Sequence, residues 1–283
     1  MKYLISVIIL IIFFTSFGIS QDDPKVVAQK AYNEGLSFLK KNQKTQAITK
    51  FNEAITNDPD LTVAYYALGV AHKSNRDYSQ AEAMFKKAIE KNEKYDAAYN
   101  ALGLLYSSEK KYADATNTFK AALGIDPNNY KANFGLGYVY LQQKDYRNAI
   151  QYFQKAVEVK EDYSKAWENL GISHHEIRQY SEAVEAFGMA LQHEKKRTEK
   201  ADIFLRMGNS LAKLDRDDDA IMAYNDALAS ATKSYTKGAA NFGLGDIYKK
   251  NGNKQKAIQH YDAASQDRSW KQSALYELDL LKQ

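Results

Sequence analysis

The sequence predicts an all-α fold: a solenoid of about seven stacked helix pairs closed by a C-terminal capping helix. Three observations carry that prediction. Glycine returns on a fixed period, with Gly35, Gly69, Gly103, Gly137 and Gly171 spaced 34 residues apart and Gly208 and Gly245 continuing at 37. Twelve residues beyond each glycine stands an alanine (Ala47, Ala81, Ala115, Ala149, Ala183, Ala220, Ala257). An aromatic follows four later (Phe51, Phe85, Phe119, Phe153, Phe187, Tyr224, Tyr261) and a second alanine three after that (Ala54, Ala88, Ala122, Ala156, Ala190, Ala227, Ala264). Finally, the chain has only 3 Pro in 283 residues, as long helices joined by short turns require, because proline breaks a helix interior.

The elements follow in chain order. Residues 1–20 read as an export signal: Met1 and Lys2 supply positive charge, Tyr3 to Phe14 are apolar except for Ser6, and Gly18 and Ser20 suit cleavage after Ser20. The apolar stretch is short for the roughly 20 residues that span a bilayer, so a cleaved signal is expected over a retained anchor. Residues 21–27 form a linker. Seven repeats follow, at 28–61, 62–95, 96–129, 130–163, 164–200, 201–237 and 238–269. In each, the alanine, aromatic and second alanine share one face of a helix, and the preceding stretch, such as Tyr99, Leu102, Gly103 and Tyr106, has the same i, i+3, i+4, i+7 stripe. Polar turns such as Ser74-Asn75-Arg76-Asp77 and Asn251-Gly252-Asn253 separate the two helices. The Gly and Ala columns are small so that the helices can approach, and the aromatic fills the gap beside them. The three extra residues of each 37-residue step are expected in longer second helices or loops. Trp270, Ala274, Leu278 and Leu281 make a stripe on residues 270–283, the capping helix that the exposed end of a solenoid needs.

This pattern resembles the tetratricopeptide repeat (TPR) family. Tyr99-x-x-Leu102-Gly103-x-x-Tyr106 with Ala115, Phe119, Ala122 and Pro127 is the fullest unit, and Trp167, Leu170, Gly171, Ala183, Phe187 and Ala190 make a second. The pattern departs at Asn133 and Asn241, where an aromatic is usual, and at His72 and His174, where Tyr is usual. The resemblance covers residues 28–269 and implies a right-handed αα superhelix.

Chemistry is largely excluded. No Cys is present, which removes disulfides, thiolate metal sites and thiol nucleophiles. The net charge of +4 comes from 39 basic and 35 acidic residues mixed along the chain, which is no nucleic-acid footprint. Asp215-x-Asp217-x-Asp219 lacks the turn glycine of a calcium loop and has Ala220, a core alanine, there. His174-His175-Glu176 has no third ligand, since neighbouring helix residues point to different faces. Gly135-x-Gly137 and Gly243-x-Gly245 follow no strand and read as packing glycines. No enzyme and no cofactor are expected.

By resemblance, the first helices line a concave groove that holds a protein segment. Its columns are Tyr32, Tyr66, Asn100, Phe134, Glu168, Leu205 and Phe242, then Leu36, Val70, Leu104, Tyr138, Ile172, Asn209 and Asp246. The partner-binding candidates are Tyr32, Tyr66, Asn100, Phe134, Tyr138, Glu168 and Asn169, with Tyr66, Phe134 and Tyr138 as exposed anchors, because aromatics carry much binding energy. Leu36, Val70, Leu104 and Ile172 are expected to pack neighbouring helices together. The function expected is a non-enzymatic interaction scaffold, exported to the periplasm or cell envelope, with a protein partner, a possible envelope complex and membrane contact only during export. The alternative is a glycan-binding accessory of polysaccharide export or wall assembly, with Asn100, Glu168 and Asn169 as its polar cluster.

Overall fold

The computed structural model describes residues 23–282. The expected export signal and the last residue lie outside them. The described residues form α-helices joined by short turns, in two compact units divided after Glu93. The first unit holds α1 (Pro24–Lys40), α2 (Lys44–Asn57), α3 (Thr62–Ser74) and α4 (Tyr78–Lys91). The second opens with α5 (Asp96–Ser108), α6 (Tyr112–Ile125), α7 (Tyr130–Gln142), α8 (Tyr146–Val159), α9 (Ser164–Glu176) and α10 (Tyr180–His193). It continues through α11 (Arg197–Lys213), α12 (Asp217–Ser230), α13 (Ser234–Lys250), α14 (Lys254–Ala264) and the cap α15 (Lys271–Lys282). Odd-numbered helices α1–α13 are the first members of the pairs. Within each unit successive pairs stack, and the first helices touch one another: α1 with α3, and α5, α7, α9, α11 and α13 in series.

Packing explains the columns. All seven aromatics are buried, at 0–3% exposure, and both alanine columns are at 0–2%. A Cβ added at any of the seven period glycines would meet the aromatic of its own repeat at 2.5–2.7 Å. Only hydrogen fits there. The flanking glycines of the two GxG pairs do the same from the other side: a Cβ at Gly135 would stand 2.3 Å from Phe119 and one at Gly243 2.5 Å from Tyr224, each the ring of the preceding repeat. The ring is therefore clamped between first helices of adjacent repeats.

The turn inside each pair uses a residue in the left-handed region: Asn42, Arg76, Lys110, Lys144, Arg178, Asp215 and Gly252, on the same 34- and 37-residue spacing. The next residue's N–H reaches back five residues to a first-helix carbonyl, as in Gln43 to Phe38, Lys111 to Tyr106 and Asn253 to Tyr248, each 2.8–2.9 Å. This bond satisfies a carbonyl that the helix end leaves open.

Two expectations are corrected. Residues 24–27 are not linker; they are the first turn of α1, started by Pro24 and capped by the Asp23 carboxylate, which accepts from the Lys25 N–H. The three extra residues of each 37-residue step lie in the first helices, not in second helices or loops: α11 and α13 have 17 residues against 13 in α3, α5, α7 and α9, while α10 and α12 keep 14. The added turn is used for cross-bracing. Asp202 of α11 takes Lys233 Nζ at 2.6 Å and Thr236 Oγ1 at 2.7 Å from the start of α13, and Ser234 Oγ donates to Asp267 at 2.7 Å. The Asn that replaces an aromatic at Asn133 keeps the position's role. Its Nδ2 donates to the Pro127 carbonyl six residues back, as Tyr65 Oη does to Pro59 and Trp167 Nε1 to Glu161.

The cap is as expected. Ala274 and Leu278 of α15 are buried against Ala257, Tyr261 and Ala264 of α14, with Trp270 and Leu281 alongside, and the Trp270 ring lies 5.0 Å from that of Phe242.

Candidate partner-binding surface on the first helices

The surface is considered within each unit. In the first unit, Tyr32 and Tyr66 are half-buried, their rings 5.9 and 6.0 Å from Phe51 and Phe85. In the second, Phe134 is half-buried in a ring cluster with Phe153 at 5.6 Å, Tyr163 at 5.0 Å and Tyr138 at 6.4 Å. Tyr66, Phe134 and Tyr138 are thus not free-standing anchors. The physical reason is register: three residues before the period glycine, as at Tyr32, Tyr66 and Phe134, a ring is close enough to cover the repeat's own core aromatic. The side chains that do stand out are Leu36 and Leu104, each 41% exposed, which were expected to pack between helices. One turn further along the helix, they have passed the ring they would cover.

Asn100 is also corrected. It is 7% exposed, and neither amide atom has a hydrogen-bond partner. Asn169 is half-buried and spends its Nδ2 on the Lys165 carbonyl of its own helix at 2.7 Å. Glu168 lies on α9, two first helices away from Asn100 on α5. The three do not assemble into a polar cluster.

What the fold does assemble was not foreseen: a polar notch of about 140 Å³ between α9 and α11, lined by Ile172, His175, Glu176, Arg206 and Asn209 over the edge of Phe187. Glu168 stands beside it, with Arg206 Nε 3.7 Å from Oε1. Burial raises the Glu168 pKa above the usual carboxylate range, and the Arg206 and Lys165 charges oppose that rise. His175 Nδ1 is 2.8 Å from Ser210 Oγ, and burial lowers the imidazole pKa, against the pull of Glu176. The notch therefore presents a guanidinium, an imidazole, an amide and the Glu176 carboxylate beside an apolar wall, a set suited to peptide groups and polar side chains. Its signal in the sequence was the change of column type at Arg206 and Asn209.

That change has a structural cause in part. Repeats six and seven carry Tyr in the core aromatic column, and each phenol needs an acceptor. Tyr224 Oη donates to Asn209 Oδ1 at 2.9 Å and Tyr261 Oη to Asp246 Oδ1 at 2.7 Å. The five Phe repeats have Leu36, Val70, Leu104, Tyr138 and Ile172 in that column. The polar end of the surface is the counterpart of two hydroxyls.

The motifs read as structural are occupied by the fold. Lys250 Nζ lies 2.6 Å from Asp215 and 3.0 Å from Asp217. His174 is buried, with Nδ1 2.7 Å from Gln179 Oε1. Among the described residues no group of three or more His, Asp or Glu is arranged to hold a metal ion, and no helix is long and apolar enough to cross a membrane.

Helix pairs with a small residue against a core aromatic, stacked so that first helices form one layer, define a class of repeat protein. The chain belongs to the tetratricopeptide repeat family. The family model described as tetratricopeptide repeat matches residues 134–198 and 205–272, and that of the tetratricopeptide repeat protein 21 C-terminal ARM domain matches residues 14–165. No curated protein matches the chain. Among solved structures, it is similar to the C-terminal part of a TPR repeat-containing protein from Cytophaga hutchinsonii, at 18% identity over 87% of this chain and 99% of that one, TM-score 0.69. PilW, described as a widely conserved type IV pilus biogenesis factor, is 18% identical over 72% and 93%, TM-score 0.61. YrrB, described as a TPR protein with an unusual peptide-binding site, is 23% identical over 64% and 91%, TM-score 0.51. These likenesses speak for the fold. Proteins of the family are generally non-catalytic scaffolds for protein interaction.

Proposed function

We infer that this protein is a non-enzymatic scaffold of the cell envelope that holds a protein segment along its first helices. The observation that supports this most is the juxtaposition on contacting helices α7, α9 and α11: an apolar ledge at Phe134, Tyr138 and Ile172 runs toward the polar notch at His175, Arg206 and Asn209. An extended segment would rest apolar side chains on the ledge and place a carboxylate or peptide carbonyl at the Arg206 guanidinium. A protein segment fits better than a sugar, because Tyr32, Tyr66 and Phe134 are half-buried and tilted against the core rings and Asn100 is out of reach. Export rests on residues 1–20, whose pattern is that of a cleaved signal.

The test is co-purification of the tagged full-length chain from its own host, with a Tyr138→Ala/Arg206→Glu variant beside it. Recovery of a defined protein with the first and its loss with the second is the expected result. Equal recovery with both would refute the first-helix surface. Intact-mass measurement of the fractionated chain addresses localisation separately: a mature N-terminus at Gln21 in the envelope fraction is expected, and an unprocessed chain in the cytoplasm would overturn the envelope assignment.

A further inference from the structure

Gly188 has no packing reason to be glycine. It sits inside α10, and a Cβ placed there meets nothing within 4 Å. Glycine in a helix interior is destabilising, because it loses the most backbone freedom on folding. The equivalent position in the other six repeats carries a side chain of several atoms: Asn52, Lys86, Lys120, Gln154, Asn225 and Asp262. Only in the fifth repeat is the side chain missing, and there a groove of about 650 Å³ opens between α8 and α10.

The groove is on the side of the second helices, opposite the layer of first helices. Its floor is apolar, made by Val157, Leu170, Ala186 and the flank of Trp167. Its rim is acidic. Glu158 of α8 and Glu182 and Glu185 of α10 are all exposed and line it, and none has a cationic partner among the described residues. Elsewhere in the chain carboxylates are commonly engaged, as Asp60 is by Lys91 and Asp215 by Lys250. A missing side chain, an apolar floor and unneutralised carboxylates on both walls describe a receptor for one kind of occupant.

We propose that the α8–α10 groove is a second docking site, for a partner segment that inserts one large apolar side chain over Gly188 and flanks it with Lys or Arg. The apolar group displaces water from the floor, and the flanking cations reach Glu158 on one wall and Glu182 and Glu185 on the other. The site is separate from the notch at Arg206, so one molecule could hold two segments on opposite faces.

The experiment is selection of peptides from a random twelve-residue display library on the full-length chain. Affinities of the recovered peptides are then measured by fluorescence anisotropy on wild type and three variants. Gly188→Leu fills the groove and, having open space, folds; Glu182→Lys/Glu185→Lys reverses one wall; Arg206→Glu alters the notch. Circular dichroism checks that all four are equally helical. A recovered class with Lys or Arg on both sides of Leu, Phe or Trp is expected. Its affinity should fall at least tenfold with the first two variants and stay within twofold with Arg206→Glu. A pool lacking that pattern, or one insensitive to Gly188→Leu, overturns the proposal. So does concentration-dependent self-association of wild type that Gly188→Leu abolishes, which would assign the groove to a second copy of this chain. Peptides lost only with Arg206→Glu would belong to the first-helix surface; their absence from the pool would count against that surface and leaves the groove reading intact.

Discussion

Gly171 and Gly188 lie in the same repeat and should respond to alanine in opposite directions. Both are in helices, so each gains about 1 kcal/mol of helix propensity on replacement. At Gly188 nothing opposes that gain. At Gly171 the new Cβ would stand 2.7 Å from Phe187 Cδ1 and Cε1 and 3.0 Å from Cζ. Carbon atoms rest comfortably at about 3.5–4.0 Å, so the ring must retreat by close to 1 Å. It has nowhere to go: Phe187 is 1% exposed and packed among Ala183, Ala190 and Ile203. Overfilling of this kind costs about 1–3 kcal/mol. Because the propensity gain is common to both variants, their difference in unfolding free energy isolates the clash and should be about 1–3 kcal/mol in favour of Gly188→Ala. Urea unfolding followed by circular dichroism measures it, and amide exchange in α9 and α10 confirms that the loss is local, as nearest-neighbour stacking requires. If the two variants agree within about 0.5 kcal/mol, the account of the glycine column as clearance for the ring is wrong. A Phe187→Leu change in the Gly171→Ala background should recover part of the loss.

The left-handed turn column offers the converse. Arg76→Gly and Lys144→Gly should each stabilise by about 0.5–1 kcal/mol, and Gly252→Ala should cost a similar amount, since φ near +60–70° strains any residue with a Cβ; thermal unfolding of the three variants reads this directly. Removing the hydroxyl in Tyr261→Phe leaves Asp246 without its donor and should cost about 1 kcal/mol. Asp246→Asn tests the charge itself. Burial raises the Asp246 pKa, with the Tyr261 hydrogen bond opposing and Glu277 adding to the rise. The folded state therefore holds the proton more tightly than the unfolded one, and stability falls as pH climbs through the folded value. Asp246→Asn should melt higher than wild type at neutral pH, with the advantage vanishing below about pH 4, where unfolded Asp is also protonated; a pH-independent advantage would contradict this. Trp270→Ala should cost about 2 kcal/mol, less than a fully buried Trp because the ring is half-exposed, and amide exchange should rise in α14 and α15 while α7–α9 hold.

The fold was legible because its constraint is repeated. A glycine facing a ring leaves no substitute, so the Gly, Ala and aromatic columns survive in all seven units and the period can be read from them. The turn column was not legible, although it recurs just as regularly. Asn, Arg, Lys and Asp all occupy it at modest cost, so the shared backbone conformation leaves no shared residue type. The extra turns were misplaced because a 37-residue step shows that three residues were added and not which helix received them. Side-chain exposure was the weakest reading. Phe134 and Leu104 both belong to columns that face the first-helix surface, yet one turn of register decides that the first covers a core ring and the second stands clear of it.

Departures from the repeat pattern therefore divide by whether the fold itself accounts for them. Asn209 and Asp246 look like a polar recognition surface until Tyr224 and Tyr261 are seen donating to them; they are then the acceptors that two extra hydroxyls require. Asn133 looks like a lost aromatic until its amide is found on the Pro127 carbonyl that its aromatic counterparts also reach. Those substitutions are compensated inside the repeat, so the change of residue type by itself does not call for a partner. Arg206, held near a Glu168 that burial would rather keep neutral, is only half compensated at 3.7 Å. Gly188, in a helix interior with empty space above it, is not compensated at all. A stable solenoid gains nothing from a glycine there, which weakens its own helix, and Arg206 stays about half exposed beside its carboxylate. Interaction with something outside the chain is the remaining source of a compensating free energy, which is why the groove proposal is centred on Gly188 and the first-helix proposal joins Arg206 to the ledge of Phe134 and Tyr138.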